Sequence, residues 1–357
     1  MKQVVTIRGP RRRCRSHRHG GRPIKQIVIA LLLLALLLAG CGREGGPGEV
    51  AGATPLPEAP VRGEALPGRL LFVRAGTIWQ WQGREARPLI VGPAAQPAFS
   101  PDGERIAYIA RANSASDLVL ADRAGATLAR LTQNSGAAPP NSLDRVYESM
   151  WAFYPAWSPD GFELVVAAQP APPEGDPPAE YSLGLYAVSA SNGERRPLFV
   201  APEVSCGRSV YGPDGALVVA CAGAGADGEQ RLFALPPAGA LAPLTGAPAP
   251  SYDPAFSPDG GWIAFAARTG AGTDIYALPA AGGEAVRLSD LGAARAPAFS
   301  PDGRLIAFLA ITPGAAGFDL WVAEVGLNAD GTLRAAAPRR VSSGLGADAD
   351  SGLSWAQ

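Results

Sequence analysis

An all-β fold, a six-bladed β-propeller of four-stranded blades, is what this sequence predicts, and two observations predict it. A fourteen-residue phrase recurs along the chain: PAFSPDGERIAYIA at 97–110, PAFSPDGGWIAFAA at 254–267 and PAFSPDGRLIAFLA at 297–310, with looser copies PAWSPDGFELVVAA at 155–168 and SVYGPDGALVVACA at 209–222. The turn aspartates of these copies, Asp102, Asp160, Asp214, Asp259 and Asp302, stand 58, 54, 45 and 43 residues apart. A four-stranded unit repeated every ~40–50 residues is the mark of propeller blades.

Each phrase reads as a β-hairpin. Pro97-Ala98-Phe99 is a short apolar strand, A. Ser100-Pro101-Asp102-Gly103 is turn chemistry, with Pro presetting φ and Gly closing the turn. Ile106-Ala107-Tyr108-Ile109 is a β-branched and aromatic run, strand B. A second signature follows each hairpin: DLVLADRAGATLARLT at 117–132, DIYALPAAGGEAVRLS at 274–289 and RLFALPPAGALAPLT at 231–245, with looser forms at 183–199 and 319–325. Each begins as a strand, and the fuller copies break at a Gly-containing turn and resume as a shorter strand, giving C and D. A carboxylate that recurs inside the same turn of every unit is a turn-former rather than a catalyst.

The sixth blade is assembled from both ends of the chain. Residues 67–82, PGRLLFVRAGTIWQWQ, supply strands B and C, with Pro67-Gly68 in the place of Pro-Asp-Gly. The missing strand A is at the C-terminus, where SGLSWAQ puts Trp355 in the place of Phe99. The last strand is thus expected to complete the first blade and close the ring, leaving no sheet edge open.

The first forty residues are a different object. Residues 1–25 carry nine Lys or Arg and no acid, 27–40 is a continuous apolar run, and Cys41 follows at once. A charged segment, an apolar segment and small residues before a cleavage point define a secretory signal over 1–40, and fourteen apolar residues fall short of the ~20 that a spanning helix needs. Residues 41–66 are rich in Gly, Pro, Ala and Glu without hydrophobic period, and read as a disordered tether. The propeller is assigned to 67–357.

Composition excludes several chemistries. The whole chain has 31 basic and 32 acidic residues. Without 1–40 it has 22 against 32, a net charge of −10, so nucleic acid is a poor partner. The only lysines, Lys2 and Lys25, and the only histidines, His17 and His19, lie in the signal. The remainder cannot build a Ser-His-Asp triad, a histidine metal site or a lysine Schiff base. No metal-ligand spacing stands out, and neither cofactor nor catalytic residue is assigned. Of the three cysteines beyond the cleavage point, Cys206 and Cys221 flank the Gly212-Pro213-Asp214-Gly215 turn symmetrically. A regular hairpin sets them opposite each other as a disulfide, which export favours, while a one-residue bulge leaves them as buried thiols.

The phrase Pro-Ala-Phe/Trp-Ser-Pro-Asp-Gly, followed by an Ile-Ala-Phe strand and later Asp-Ile-Tyr, resembles the TolB-type, WD40-like propeller repeat over about residues 67–357. TolB-type proteins join a small α/β domain to the propeller, and none precedes the first blade here. Lyases carrying this repeat resemble metal-dependent enzymes with histidine ligands, which residues 41–357 lack. Leu38-Ala39-Gly40-Cys41 resembles a bacterial lipobox, which implies lipid on Cys41 and an extracytoplasmic location at a membrane. The resemblance also implies that the face of B–C loops and D-to-A connections, around the channel mouth, is the binding face.

Two neighbouring loops of that face are enlarged, the connection 133–154 with Tyr147, Met150, Trp151, Phe153 and Tyr154, and the Pro-rich 169–181. Long loops in compact folds are functional or disordered, and aromatics argue against disorder. Trp151 and Phe153 either recognise a partner or plug the channel. Just before each strand A the expected rim residues are Gln96, Tyr154, Glu203, Asp253, Arg295 and Asp350. Trp151, Tyr154, Asp253 and Arg295 are the expected contacts, Asp253 and Arg295 either meeting a ligand or pairing with each other. The expected function is that of a monomeric, membrane-tethered scaffold binding a protein, peptide or solute. The alternatives are a polysaccharide lyase or hydrolase acting through carboxylates, and a structural accessory subunit.

Overall fold

The computed structural model describes residues 59–357 except 176–181, 224–227, 238 and 271. The signal, Cys41 and most of the tether lie outside the described residues, as does part of the 169–181 loop. Six antiparallel sheets follow one another along the chain. Blade 2 is Ala94–Phe99, Arg105–Arg111, Ser116–Asp122 and Thr127–Arg130 as strands A to D. Blade 3 starts at Ala152–Trp157, blade 4 at Ser205–Tyr211, blade 5 at Ser251–Phe256 and blade 6 at Ala294–Phe299. Blade 6 adds a fifth strand, Leu333–Ala335, to its sheet. Among the described residues no helix is long and apolar enough to cross a membrane.

Blade 1 closes the ring as expected. The last strand, Ser354–Ala356, pairs antiparallel with Val61–Arg74, setting Trp355 opposite Leu70 just as Phe99 stands opposite Ile106 in blade 2. It differs in two respects. Its sheet has three strands, because Val61–Arg74 and Thr77–Ile90 form one long bent hairpin. Residues 61–66, assigned by composition to the tether, are strand: Val61 and Leu66 pack on Trp81 and Val341 in the core between blades 6 and 1. A Cβ at Gly63 would stand 2.0 Å from the Val341 carbonyl oxygen, so the approach needs glycine. Two apolar residues five apart have no strand periodicity, and only the neighbouring blade makes them core.

The core is six apolar clusters, one at each seam between blades, including the seam joining last to first. Successive side chains of a strand point to opposite faces. Ile106 and Tyr108 therefore pack toward blade 1, and Ala107 and Ile109 toward blade 3. A strand buried on both faces is an unbroken apolar run rather than an alternation, which is the form of every strand B here.

The turn carboxylates are structural. Asp102, Asp160, Asp259 and Asp302 each accept from the serine two residues before, at 2.5–2.6 Å, and from the backbone N–H two residues after, at 3.0–3.1 Å. The serine bond first, then the backbone bond, holds all four below the usual carboxylate range. A carboxyl whose folded pKa is depressed stabilises above its unfolded pKa, about 3.9, and loses that contribution as pH falls through the folded value. Thermal melts should therefore show a falling midpoint below about pH 4. Alanine at Ser100, Ser158, Ser257 and Ser300 together should flatten that fall. An equally steep fall in the quadruple variant would assign it to other groups.

A second set of aspartates was not read from the sequence. Asp117, Asp274 and Asp319, at the head of strand C in blades 2, 5 and 6, are buried. Asp274 accepts from Arg287, the Ser289 hydroxyl and the N–H groups of Leu291 and Gly292. Asp117 does the same with Arg130, Thr132 and Asn134. Each ties the connection leaving its blade back to strand C.

Candidate functional site

The channel mouth is built by a bulge repeated in five blades. In strand A the pairing register slips between Ala95 and Ala98, Phe153 and Ala156, Cys206 and Ser209, Tyr252 and Ala255, and Arg295 and Ala298. Four of the slips hold an X-Pro step, where proline has no N–H to give the ladder. The residue before it has positive φ: Gln96 (54°), Tyr154 (54°), Asp253 (56°) and Ala296 (55°). Non-glycine residues in that region are strained and persist where their surroundings hold them. A bulge re-aims side chains.

This geometry corrects the expected rim. Gln96, Tyr154, Asp253 and Arg295 lie inside strand A at the bulge, not before it. In blade 4 the place belongs to Arg208, and Glu203 sits in an exposed turn upstream. The sequence signal for the register was the proline. Blade 4 has Ser209 there instead, so alignment by strand start slipped.

The rim residues bind one another in sequence around the ring. Gln96 Oε1 accepts from Tyr154 N at 2.8 Å. The Arg208 guanidinium lies 5.0 Å from the Tyr154 ring centre, and its Nε donates to Asp253 Oδ1 at 3.3 Å. Asp253, 5% exposed, accepts at Oδ2 from Arg295 Nε at 3.0 Å and Ala296 N at 3.2 Å. Arg295 Nη1 reaches Asp350 Oδ1 at 2.7 Å, and Arg208 Nη2 reaches the Asp350 carbonyl at 2.7 Å. Asp350 belongs to the turn feeding the C-terminal strand, and Ser354 Oγ of that strand accepts from Phe99 N at 2.9 Å. Asp253 and Arg295 thus pair with each other, the second of the two expectations. Burial acts against the charge of Arg295, but Asp253 and then Asp350 outweigh it and push its pKa up. Burial raises the Tyr154 phenol, with Arg208 opposing.

Beside this latch is a cavity of about 280 Å³ lined by Tyr154, Gly207, Arg208, Gln230, Tyr252 and Asp350 among others. Tyr252 carries the Arg295 guanidinium at 4.9 Å from its ring centre. One carboxylate of the set, Asp350, remains 68% exposed. An aromatic step leads outward: Phe153 lies 6.0 Å from Tyr154, and Trp151 stacks on Phe153 at 5.9 Å with 1° between ring planes. Both rings are half-buried. The channel below, about 270 Å³, is lined instead by the strand A segments of the six blades. Trp151 and Phe153 do not line that channel and stack outward from Tyr154 beside its rim.

The enlarged connection is held by side-chain bonds to its own backbone. It contains a one-turn helix, α1, Leu143–Tyr147. Arg145 donates to the carbonyls of Gly136 and Ala138. Glu148 accepts from Ala137 N and Ala138 N at 2.7 Å. Leu143 and Val146 are left exposed. Cys206 and Cys221 face each other in the blade 4 hairpin with their sulfurs 2.07 Å apart, two residues from Arg208. The bulge comes after Cys206, so the pairing register at the cysteines is intact.

No family model matches this chain, and no curated protein is similar to it in sequence. Among solved structures it is similar to TolB from Acinetobacter baumannii, with 18% identity over 81% of this chain and 66% of that one and a TM-score of 0.59. It is similar to a chain of a nidogen/laminin complex, with 12% identity over 80% of this chain and 97% of that one and a TM-score of 0.55. The tricorn protease matches at 18% identity over 78% of this chain and 26% of that one, with a TM-score of 0.51. The chain thus spans slightly less than two thirds of that TolB and about a quarter of the tricorn protease. At these identities the likeness is one of fold, and the chain folds as a TolB-like six-bladed β-propeller.

Proposed function

We propose that this protein is a binding scaffold of the bacterial cell envelope, exported by its 1–40 signal and anchored through lipid on Cys41. Its partner is a protein, a peptide or a solute, recognised at the channel mouth. The observation that carries the reading is the continuous surface from Trp151 through Phe153 and Tyr154 to the cavity beside Arg208 and Asp350. Aromatic rings and arginine give large contact area at small entropic cost and dominate binding hot spots. The mouth favours binding over carboxylate catalysis, since glycan cleavage needs a pair of working carboxyl groups and Asp253 is committed to Arg208, Arg295 and Ala296. Within the latch Asp253 and Arg295 act as the support of the site, and Trp151 and Tyr154 as its contacts.

The test is capture of envelope partners by residues 41–357 immobilised on beads, compared with the Trp151→Ala/Tyr154→Ala variant. The double variant should lose at least tenfold in affinity, a value typical of two hot-spot truncations of about 1 kcal/mol each or more, while staying fully folded at the assay temperature despite a lower melting point from the packing Tyr154 gives up. Capture within twofold of the parent would place the site elsewhere. In cells, palmitate labelling should vanish in Cys41→Ala, and labelling that survives would remove the anchor.

A further inference from the structure

A second cavity, of about 540 Å³, opens between blades 1 and 2 and shares no lining residue with the one at the channel mouth. One wall is apolar: Ile90, at the end of the blade 1 strand Thr77–Ile90, with Val91 and Pro93 from the connection entering blade 2. Val91 leaves 68% of its surface in water. The other wall is polar and carries Arg111, Arg130 and Gln133.

Two features of this wall go beyond what packing requires. The first is Tyr108, which lines the cavity while being 8% exposed. In the same place of strand B the other blades put Phe72, Val166, Val219, Phe265 and Phe308, all hydrocarbon and all buried. Blade 2 alone adds a hydroxyl there, and that hydroxyl has no hydrogen-bond partner among the described residues. The second is charge. The one acid lining the cavity, Asp117, is already satisfied by Arg130, the Thr132 hydroxyl and Asn134 N. Arg111 is exposed and faces no carboxylate there, so the cavity carries net positive charge in a chain whose export-processed form is strongly acidic. Ligand sites of this kind are concave, mostly apolar, a few hundred Å³ in volume, and fixed by a few convergent polar groups.

We propose that this cleft binds a small organic anion with an apolar body, a carboxylate or sulfonate carried on an aromatic or branched aliphatic group. The anion meets Arg111, its apolar body lies against Ile90, Val91 and Pro93, and the Tyr108 hydroxyl supplies a directional hydrogen bond. The site is independent of the channel-mouth reading.

The probe is 8-anilinonaphthalene-1-sulfonate, read by fluorescence on residues 41–357, with uncharged N-phenyl-1-naphthylamine as its comparison. Saturable sulfonate binding is expected. Arg111→Ala should weaken it by about tenfold, the worth of one hydrogen bond to a charged group, and leave the uncharged probe within twofold. Tyr108→Phe should cost about threefold. Ala112→Trp, an exposed position that fills the cleft, should abolish binding of both probes. Trp151→Ala should change neither, which separates this site from the mouth. Absence of saturable sulfonate binding, or binding within twofold of the parent in both Arg111→Ala and Ala112→Trp, overturns the proposal. Equal losses of both probes in Arg111→Ala overturn its anionic part.

Discussion

Replacing Asp253 by alanine should destabilise the propeller by about 3 kcal/mol. The carboxylate is the one group that touches both arginines of the mouth and the backbone of the next blade. Its removal leaves Arg208, 19% exposed, with only the Asp350 carbonyl, and Arg295, 30% exposed, with only the solvent-facing Asp350 carboxylate. Truncating one partner of a buried ion pair costs about 3–5 kcal/mol, because a charge stays behind uncompensated, and the water these arginines retain sets the expectation at the lower end. Alanine also sits poorly at φ 56°, whereas asparagine tolerates that region. Asp253→Asn should therefore lose roughly half as much, since its amide oxygen still accepts a bond. Urea unfolding reads both as a shift of midpoint at constant slope. A shift of under about 1 kcal/mol for Asp253→Ala would mean that the latch is a surface pair.

Loss of the Cys206–Cys221 bridge should cost about 3 kcal/mol, the loop-closure value for a separation near 15 residues. Blade 4 depends on it more than its neighbours would. Gly212 stands where other turns have serine, so Asp214 lacks the side-chain bond and keeps only Ala216 N. Arg231 stands opposite Cys221 where Asp117 and Asp274 face Ala110 and Ala267. The disulfide stands where blades 2, 5 and 6 have two staples made from hydrogen bonds, the turn serine–aspartate pair and the strand C aspartate. Cys206→Ala/Cys221→Ala should melt well below the parent, and reductant should lower the parent toward the variant without affecting the variant. Equal melting of parent and double variant would contradict this role. Arg208 follows Cys206 by two residues, so the same variant should also weaken capture at the mouth.

The fold was legible because its repeat is local. The Ser-Pro-Asp-Gly turn, the unbroken apolar strand B and the spacing of the copies are each written within a few residues, and Trp355 was recognisable as the missing Phe99. What escaped depends on contacts between blades. Val61 and Leu66 have no pattern of their own and are core only because Val341 is there. The strand C aspartates are visible in Asp-Leu-Val and Asp-Ile-Tyr, yet their role appears only where they reach a connection some 13–18 residues later. Asp253 and Arg295 were picked out at the mouth, but their pairing follows from a bulge whose sequence sign is the following proline. Arg208 was missed because its blade has serine in that place. Tyr108 looked like one more strand residue, and only the superposed blades mark its hydroxyl as additional.

Site-specific photo-crosslinking in the native envelope tests whether the channel mouth is the face that binds a partner. A photoreactive amino acid is placed at position 151, beside the channel mouth, or at position 162, where Phe162 is 73% exposed in the turn between strands A and B on the opposite face. A discrete adduct is expected from position 151, absent from position 162 and lost when Tyr154→Ala is added. An adduct from 162 with none from 151 would contradict this and turn the binding face over.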